Sequence, residues 1–159
     1  MGQNVLDADF DFFFRDIATC VKATDYFQNL GFKVDKENYW NTQLSCQMGE
    51  PLKTYTVQLI NMEYNGVPHL ISTFDFTLCQ LALDLRTGEL FCGETTLDDI
   101  KNKKLVLNIL TDPISSFRRV LKYAKQGFYA DNDFIKKFLE ASAQFKKLPA
   151  PREYFNKDV

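Results

Sequence analysis

A single histidine, His69, leaves almost no room in this 159-residue chain for imidazole catalysis or a histidine-rich metal centre. The four cysteines, Cys20, Cys46, Cys79 and Cys92, show no Cys-x-x-Cys spacing. That argues against a zinc site and fits free thiols in a reducing cytoplasm. No apolar run approaches the ~18 residues of a membrane span, and no basic-then-apolar leader opens the chain. A cytoplasmic protein without a membrane partner is the expectation. Repeats and low-complexity segments are missing too. What is abundant is core material: 45% of residues are hydrophobic, with 15 Phe and 7 Tyr, beside 25% charged residues. This is an ordinary globular mix, and it excludes disorder as the main state. A chain of this length buries roughly 68–70% of its unfolded surface and needs no disulfide or metal to hold it. Any chemistry therefore falls to carboxylates.

Charge is unevenly spread. Residues 1–100 hold 6 Lys and Arg against 15 Asp and Glu, whereas residues 101–159 hold 13 against 6, giving −9 and +7 around a net −2. An acidic part concentrates cations and a basic part meets an anion. The plainer alternative is a set of solvated helix faces carrying Lys.

The pattern along the chain is mixed. Asp9 to Phe14 begins as strict alternation and ends as an apolar run, the mark of a strand. Residues 15–30 switch to helical spacing through Cys20, Ala23, Phe27 and Leu30, and Gly31 stops the helix. Strands are expected over 32–34, 43–46 and 54–60, a turn at Asn65-Gly66, and a strand or strand edge from His69 to Phe76. Leu78 to Leu85 is apolar enough to be buried, and the turn Arg86-Thr87-Gly88-Glu89 leads into a short strand over 90–92. Thr95 or Thr96 caps a short helix over 97–103, and 105–109 resumes as strand. Asp112-Pro113 starts a helix whose buried face is Phe117, Val120, Leu121 and Ala124, ending at Gly127. Asp131 or Asn132 caps a last helix carrying Phe134, Ile135, Phe138, Leu139 and Phe145. The fold class is thus α/β (α+β): a mixed sheet with helices packed on it over 1–110, a helical pair over 111–148, one domain overall, and a polar tail over 149–159.

The sharpest chemical signal is Asp9-Phe10-Asp11, preceded by Asp7. Alternate residues of a strand share a face, so these carboxylates point the same way. They repel one another unless they lie in water or share a cation. A hard cation such as Mg²⁺ takes carboxylate oxygens plus substrate phosphates, and paired metals suit in-line attack on phosphorus. The competing reading is an edge strand whose acidic residues deter aggregation. Arg118, Lys122 and Lys125 recur at helical spacing as a phosphate-contacting stripe or a solvated face. His69 reads as structural, Cys79 and Cys92 as small hydrophobes in apolar surroundings, and Trp40 beside Tyr39 as a core edge or a stacking surface.

Phe74-Asp75-Phe76-Thr77, the run Leu81 to Asp84 and the turn Thr87-Gly88-Glu89 stand in a telling order. Leu97-Asp98-Asp99-Ile100-Lys101 follows, then Asp112-Pro113 through Arg118 and Arg119 to Gly127-Phe128. From about residue 8 to 128 this order resembles the head domain of the tRNA CCA-adding enzymes and bacterial poly(A) polymerases, within the polymerase-β-type nucleotidyltransferases. The resemblance implies that Asp9 and Asp11 bind two Mg²⁺ ions, and that Asp75 completes the carboxylate set or faces the sugar. It implies that Arg118 or Arg119 holds substrate phosphate or base. The implied reaction moves a nucleotidyl group from an NTP to a hydroxyl acceptor such as RNA, with tRNA as the family's example. Asp9, Asp11 or Asp75 would take the acceptor proton.

The chain also departs from the family. The glycine turn and Arg-Asp that precede Asp-x-Asp there have no counterpart ahead of Asp9. The two arginines before Asp-Phe-Thr are Thr73 and Phe74 here, and the following Asn is Cys79. Ser115-Ser116 stands where a helix arginine is expected. Two further readings follow: a non-catalytic binding or assembly module that keeps the fold, and a transferase acting on a protein hydroxyl.

Overall fold

A computed structural model describes residues 9–38, 40–62 and 64–145. Asp7, Tyr39 and the 149–159 tail lie outside the described residues. The architecture is mixed α+β, consistent with the nucleotidyltransferase-like arrangement expected from the sequence. By contacts the chain forms two units, 1–64 and 65–159.

In the first unit, β1 (Phe10–Phe13) is followed by α1 (Ile17–Asn29), β2 (Lys33–Glu37), β3 (Asn41–Met48) and β4 (Lys53–Ile60). The sheet order is β1-β4-β3-β2. β2, β3 and β4 form an antiparallel meander, while β1 joins β4 in parallel with Phe10 opposite Val57 and Phe13 opposite Ile60. Period-two alternation in β3 and β4 buries Leu44, Val57 and Leu59 on one face. These pack with Cys20 and Phe32, and with Phe12, Ala23 and Phe27 at their margin. The Phe27 ring sits 5.7 Å from Phe12 and 5.3 Å from Phe32, which pins α1 to the sheet. Asp16 caps α1, its Oδ1 accepting from the Thr19 amide at 2.7 Å, and Gly31 at φ +92° ends it as expected. Leu30, the last residue of that helical spacing, is exposed, the helix having ended at Asn29.

The second unit contains α2 (Val67–Ser72), a 3₁₀ turn at Thr77–Cys79, β5 (Leu81–Leu83), β6 (Leu90–Cys92), α3 (Thr96–Lys101), α4 (Pro113–Lys125) and α5 (Asn132–Gln144). Its core gathers Phe76, Leu105, Phe134 and Phe138, with Leu107, Val120, Tyr123 and Phe128 around them. Asp112 and Asp131 cap α4 and α5, accepting from the Ser115 amide at 2.6 Å and the Phe134 amide at 2.8 Å. Gly127 follows α4 with φ +87°.

Several sequence expectations need correction here. The stretch read as a strand from His69 is the helix α2, because Gly66 at φ +82° turns the chain and Pro68 fits a first helical turn. Residues 105–109 form no strand; they contribute only a bridge from Leu107 to Phe76, and Asn108 spends its side chain on the carbonyls of Ser72 and Phe74. Neither Thr95 nor Thr96 caps α3 with its side chain. The apolar run 78–85 is not buried as a whole, since Leu81, Leu83 and Leu85 are exposed. α4 turns in Ser116, Arg119, Val120 and Tyr123 and leaves Leu121 and Ala124 exposed, while Phe117 is half exposed with its ring 6.2 Å from that of Phe138. Among the described residues no helix is long and apolar enough to cross a membrane.

Candidate functional site

Asp9 immediately precedes β1, and Asp11 lies within it. Phe12 packs towards the core, so alternation sends Asp11 to the opposite side of the strand, where both carboxylates are exposed. β1 is a sheet edge, with Gln58 of β4 opposite Asp11. Two exposed carboxylates at alternate positions fit Mg²⁺, which takes one or two protein carboxylates and fills its octahedron with water and phosphate oxygens. Among the described residues no group of three or more carboxylates, thiols or imidazoles is placed to hold a metal ion.

The second unit holds a different constellation. Asp75, only 6% exposed, receives a charge-assisted hydrogen bond on Oδ2 from Arg119 Nε at 2.7 Å, and Nη2 lies 2.6 Å from the same oxygen in the ion pair. The arginine comes from the second turn of α4, and its side chain remains 42% exposed. This pairing satisfies a carboxylate that burial alone would disfavour. It also separates the two neighbouring arginines. Arg119 turns inward, whereas Arg118 lies on the exposed face with Lys122 and Lys125. Among the described residues Arg118, Lys122 and Lys125 form no ion pair, so their charge is open to an anion.

Beside this pair, Cys79 Sγ lies 3.1 Å from Tyr123 Oη. Burial pushes both groups up from their ordinary pKa values, the tyrosine strongly, and each remains protonated at neutral pH. Cys79 is therefore a thiol in a polar contact rather than a nucleophile. Cys92, expected in apolar surroundings, is exposed. His69 Nδ1 accepts from the Asn65 amide at 3.2 Å, the structural role expected for it.

Sequence reasoning missed the part played by Asp99. Its Oδ2 accepts from Thr77 Oγ1 at 2.6 Å and from Thr95 Oγ1 at 2.7 Å. Thr96 Oγ1 donates to the Thr77 carbonyl at 2.7 Å. Together these bonds fasten the 3₁₀ turn after Asp75-Phe76 to the start of α3. The signal was present in the order of Asp-Phe-Thr and Asp-Asp, but a bond across 22 positions has no local periodicity to reveal it.

Comparison with known proteins adds three findings. A solved structure described as a tRNA-processing enzyme (apo form 2) matches at TM-score 0.54 and 17% identity, over 89% of this chain and 41% of that one. Another (apo form I) matches at 0.56 and 18%, over 89% and 38%, and a tRNA-processing enzyme complex matches at 0.55 and 18%, over 85% and 38%. The chain thus spans about two fifths of those proteins and shares their fold. No curated protein matches. A sequence profile described as Gabija anti-defense 2 family protein matches residues 3–103.

Proposed function

Because the chain belongs to the Gabija anti-defense 2 family, we propose that it is a nucleotidyltransferase-fold module directed against that defence, moving a nucleotidyl group from an NTP to a hydroxyl acceptor. The observation that carries this reading is the exposed Asp9–Asp11 pair at the edge strand of a fold shared with solved tRNA-processing enzymes. Asp9 and Asp11 would hold Mg²⁺ together with water and the NTP phosphates. When bound, such ions neutralise charge at the reacting phosphorus and lower the pKa of an attacking hydroxyl. The chain's own part is positioning. Arg118, Lys122 and Lys125 offer unpaired charge to an RNA backbone, a sequence-independent contact that weakens with salt. Arg119 acts on Asp75 and orients it rather than reaching for phosphate. The acceptor class proposed is an RNA hydroxyl or a protein hydroxyl of the defence that the family description names.

One observation favours a second reading. Asp75, the residue expected to complete the carboxylate set, already has its charge answered by Arg119. On that reading the domain binds nucleotide or RNA without transferring anything.

The experiment incubates the protein with each α-labelled NTP, Mg²⁺, and either tRNA or the defence proteins as acceptor. Transfer predicts label on the acceptor for the wild type and none for Asp11→Asn. Mg²⁺ should also raise the melting temperature of the wild type but not of Asp11→Asn, because a ligand bound only by the folded state stabilises it by mass action. A Mg²⁺ shift without label supports the binding module. Identical melts of both proteins, with no label, would remove the metal site and the transferase reading together.

A further inference from the structure

The first sheet buries its apolar side chains on one face, and the transfer reading uses the other face only at the β1 edge. Residues paired in a ladder send their side chains to the same face. Asp11 stands opposite Gln58, Gln58 opposite Gln43, and Gln43 opposite Lys36. One row of polar side chains therefore crosses all four strands on the side away from the core. The next row runs from Thr56 through Ser45 to Lys33. On this side β3 and β4 carry no charge, and their amides and hydroxyls are half-exposed. Charge is confined to the edges, with carboxylates at β1 and lysines on β2.

Strict alternation would split those lysines, since positions 33 and 36 of an unbroken strand face opposite ways. The register instead shifts between Val34 and Lys36, leaving Asp35 as the extra residue. A bulge of this kind re-aims the side chains beyond it, and here it turns Lys36 to the side of Lys33. Protection of an edge strand is served by charge on either face, so it gives no reason for both lysines to share one. Both are exposed, and among the described residues neither forms an ion pair. Three strand spacings of ~4.8 Å set Lys36 about 14 Å from Asp11 across the face.

We propose that this face binds a single strand of RNA, with one end at Asp9 and Asp11 and a phosphate further along its backbone on Lys33 and Lys36. The inference rests on the transfer reading and deepens it, choosing RNA over protein as the acceptor. Lysines at the far edge meet phosphate charge. Amides and hydroxyls both donate and accept, which suits the ribose hydroxyls and base edges lying between two phosphates. An NTP whose phosphates sit at Asp9 and Asp11 leaves no anion for the β2 edge. A nucleic-acid strand carries one at every nucleotide, so it alone answers both edges and the neutral rows between them.

The test is fluorescence anisotropy of a labelled single-stranded oligouridylate, and of its deoxy counterpart, titrated with the full chain over a range of salt. For Lys33→Ala/Lys36→Ala the proposal expects weaker RNA binding and a log–log salt slope shallower by about 1.4, two phosphate contacts at ~0.7 each. If that variant misfolds by circular dichroism, Lys33→Gln/Lys36→Gln must give the same change. Gln43→Val/Gln58→Val keeps strand propensity and should lose affinity at an unchanged slope, more for RNA than for DNA. Lys22→Ala, exposed on the helix that covers the opposite face, should change neither affinity nor slope. A wild type that does not bind the oligomer overturns the proposal, as does a folded lysine variant with the wild-type slope or an equal loss in Lys22→Ala. Label transfer is read separately. Label on an acceptor with no change in the lysine variant overturns this face and leaves the transfer reading standing, whereas the expected slope change without label supports the face and removes transfer.

Discussion

Arg119 donates from Nε to, and pairs its charge with, one oxygen of a carboxylate that is almost wholly buried. Removing the guanidinium would leave the buried Asp75 carboxyl without its partner, which costs far more than losing an exposed ion pair. Because Arg119 itself is partly exposed and water can enter its place, the expected loss for Arg119→Ala is about 2 kcal/mol, the scale of a charged hydrogen bond. Arg118→Ala, one position away on the exposed face, should leave urea unfolding unchanged. Equal effects of the two substitutions would show that the pair does not hold the unit together. The sequence made Asp9 and Asp11 legible as site candidates, since two carboxylates at alternate strand positions are a local pattern. It left the choice between Arg118 and Arg119 open. What decides that choice is a partner 44 positions away, and residue spacing within one helix carries no record of it.

The elements were most legible where their ends are set by local chemistry. Asp112 before Pro113, Asp131 before the last helix, and Gly31 and Gly127 after α1 and α4 mark real boundaries. Faces were less legible than ends. α4 carries an apolar stripe that by periodicity alone belongs inside, yet Ile114, Phe117 and Leu121 are exposed. The Arg119–Asp75 bond and the Tyr123–Cys79 contact fix its rotation by roughly one residue from that expectation. The strand read for α2 failed in the reverse direction, because six residues give too few turns for a helical period to appear. The cap of α5 also makes stability depend on acid. Asp131 accepts from the Phe134 amide and meets Lys104 Nζ at 3.0 Å, and both hold its pKa below the ordinary 3.8. A carboxylate depressed in the folded state leaves the unfolded chain binding more protons, so its contribution is present above the unfolded value and disappears as pH falls through the folded one. Asp131→Asn keeps a good capping residue but removes the charge. Urea midpoints measured from neutral pH down through the carboxylate range should converge for wild type and variant at the acid end. A constant gap between them would exclude the charge as the cause.

At the scale of the whole chain, formal charge divides along the sequence, −9 over residues 1–100 and +7 over 101–159, and the fold match covers about two fifths of longer solved chains. The fold class was readable from the succession of patterns, and the sheet order was not, since nothing local announces that β1 skips two strands to reach β4. That parallel pairing has a kinetic consequence. β2, β3 and β4 can zip through short turns, but β1 must close the loop from residue 10 to residue 57 before it gains a single ladder bond. Loop-closure entropy delays it, and an edge strand in parallel pairing has little to keep it in place once formed. The strand bearing Asp11 is then the last to join this sheet and the first to leave it. Amide exchange should record this order. Protons on Phe12 and Phe13 should be lost well before those on Leu44 and Val57, through openings smaller than global unfolding. Uniform protection across the four strands would mean that the sheet opens only as one body. With early exchange confined to β1, the proposed metal-binding strand would spend part of its time detached, and any ligand joining Asp11 to the rest of the sheet would slow its exchange before that of any other strand.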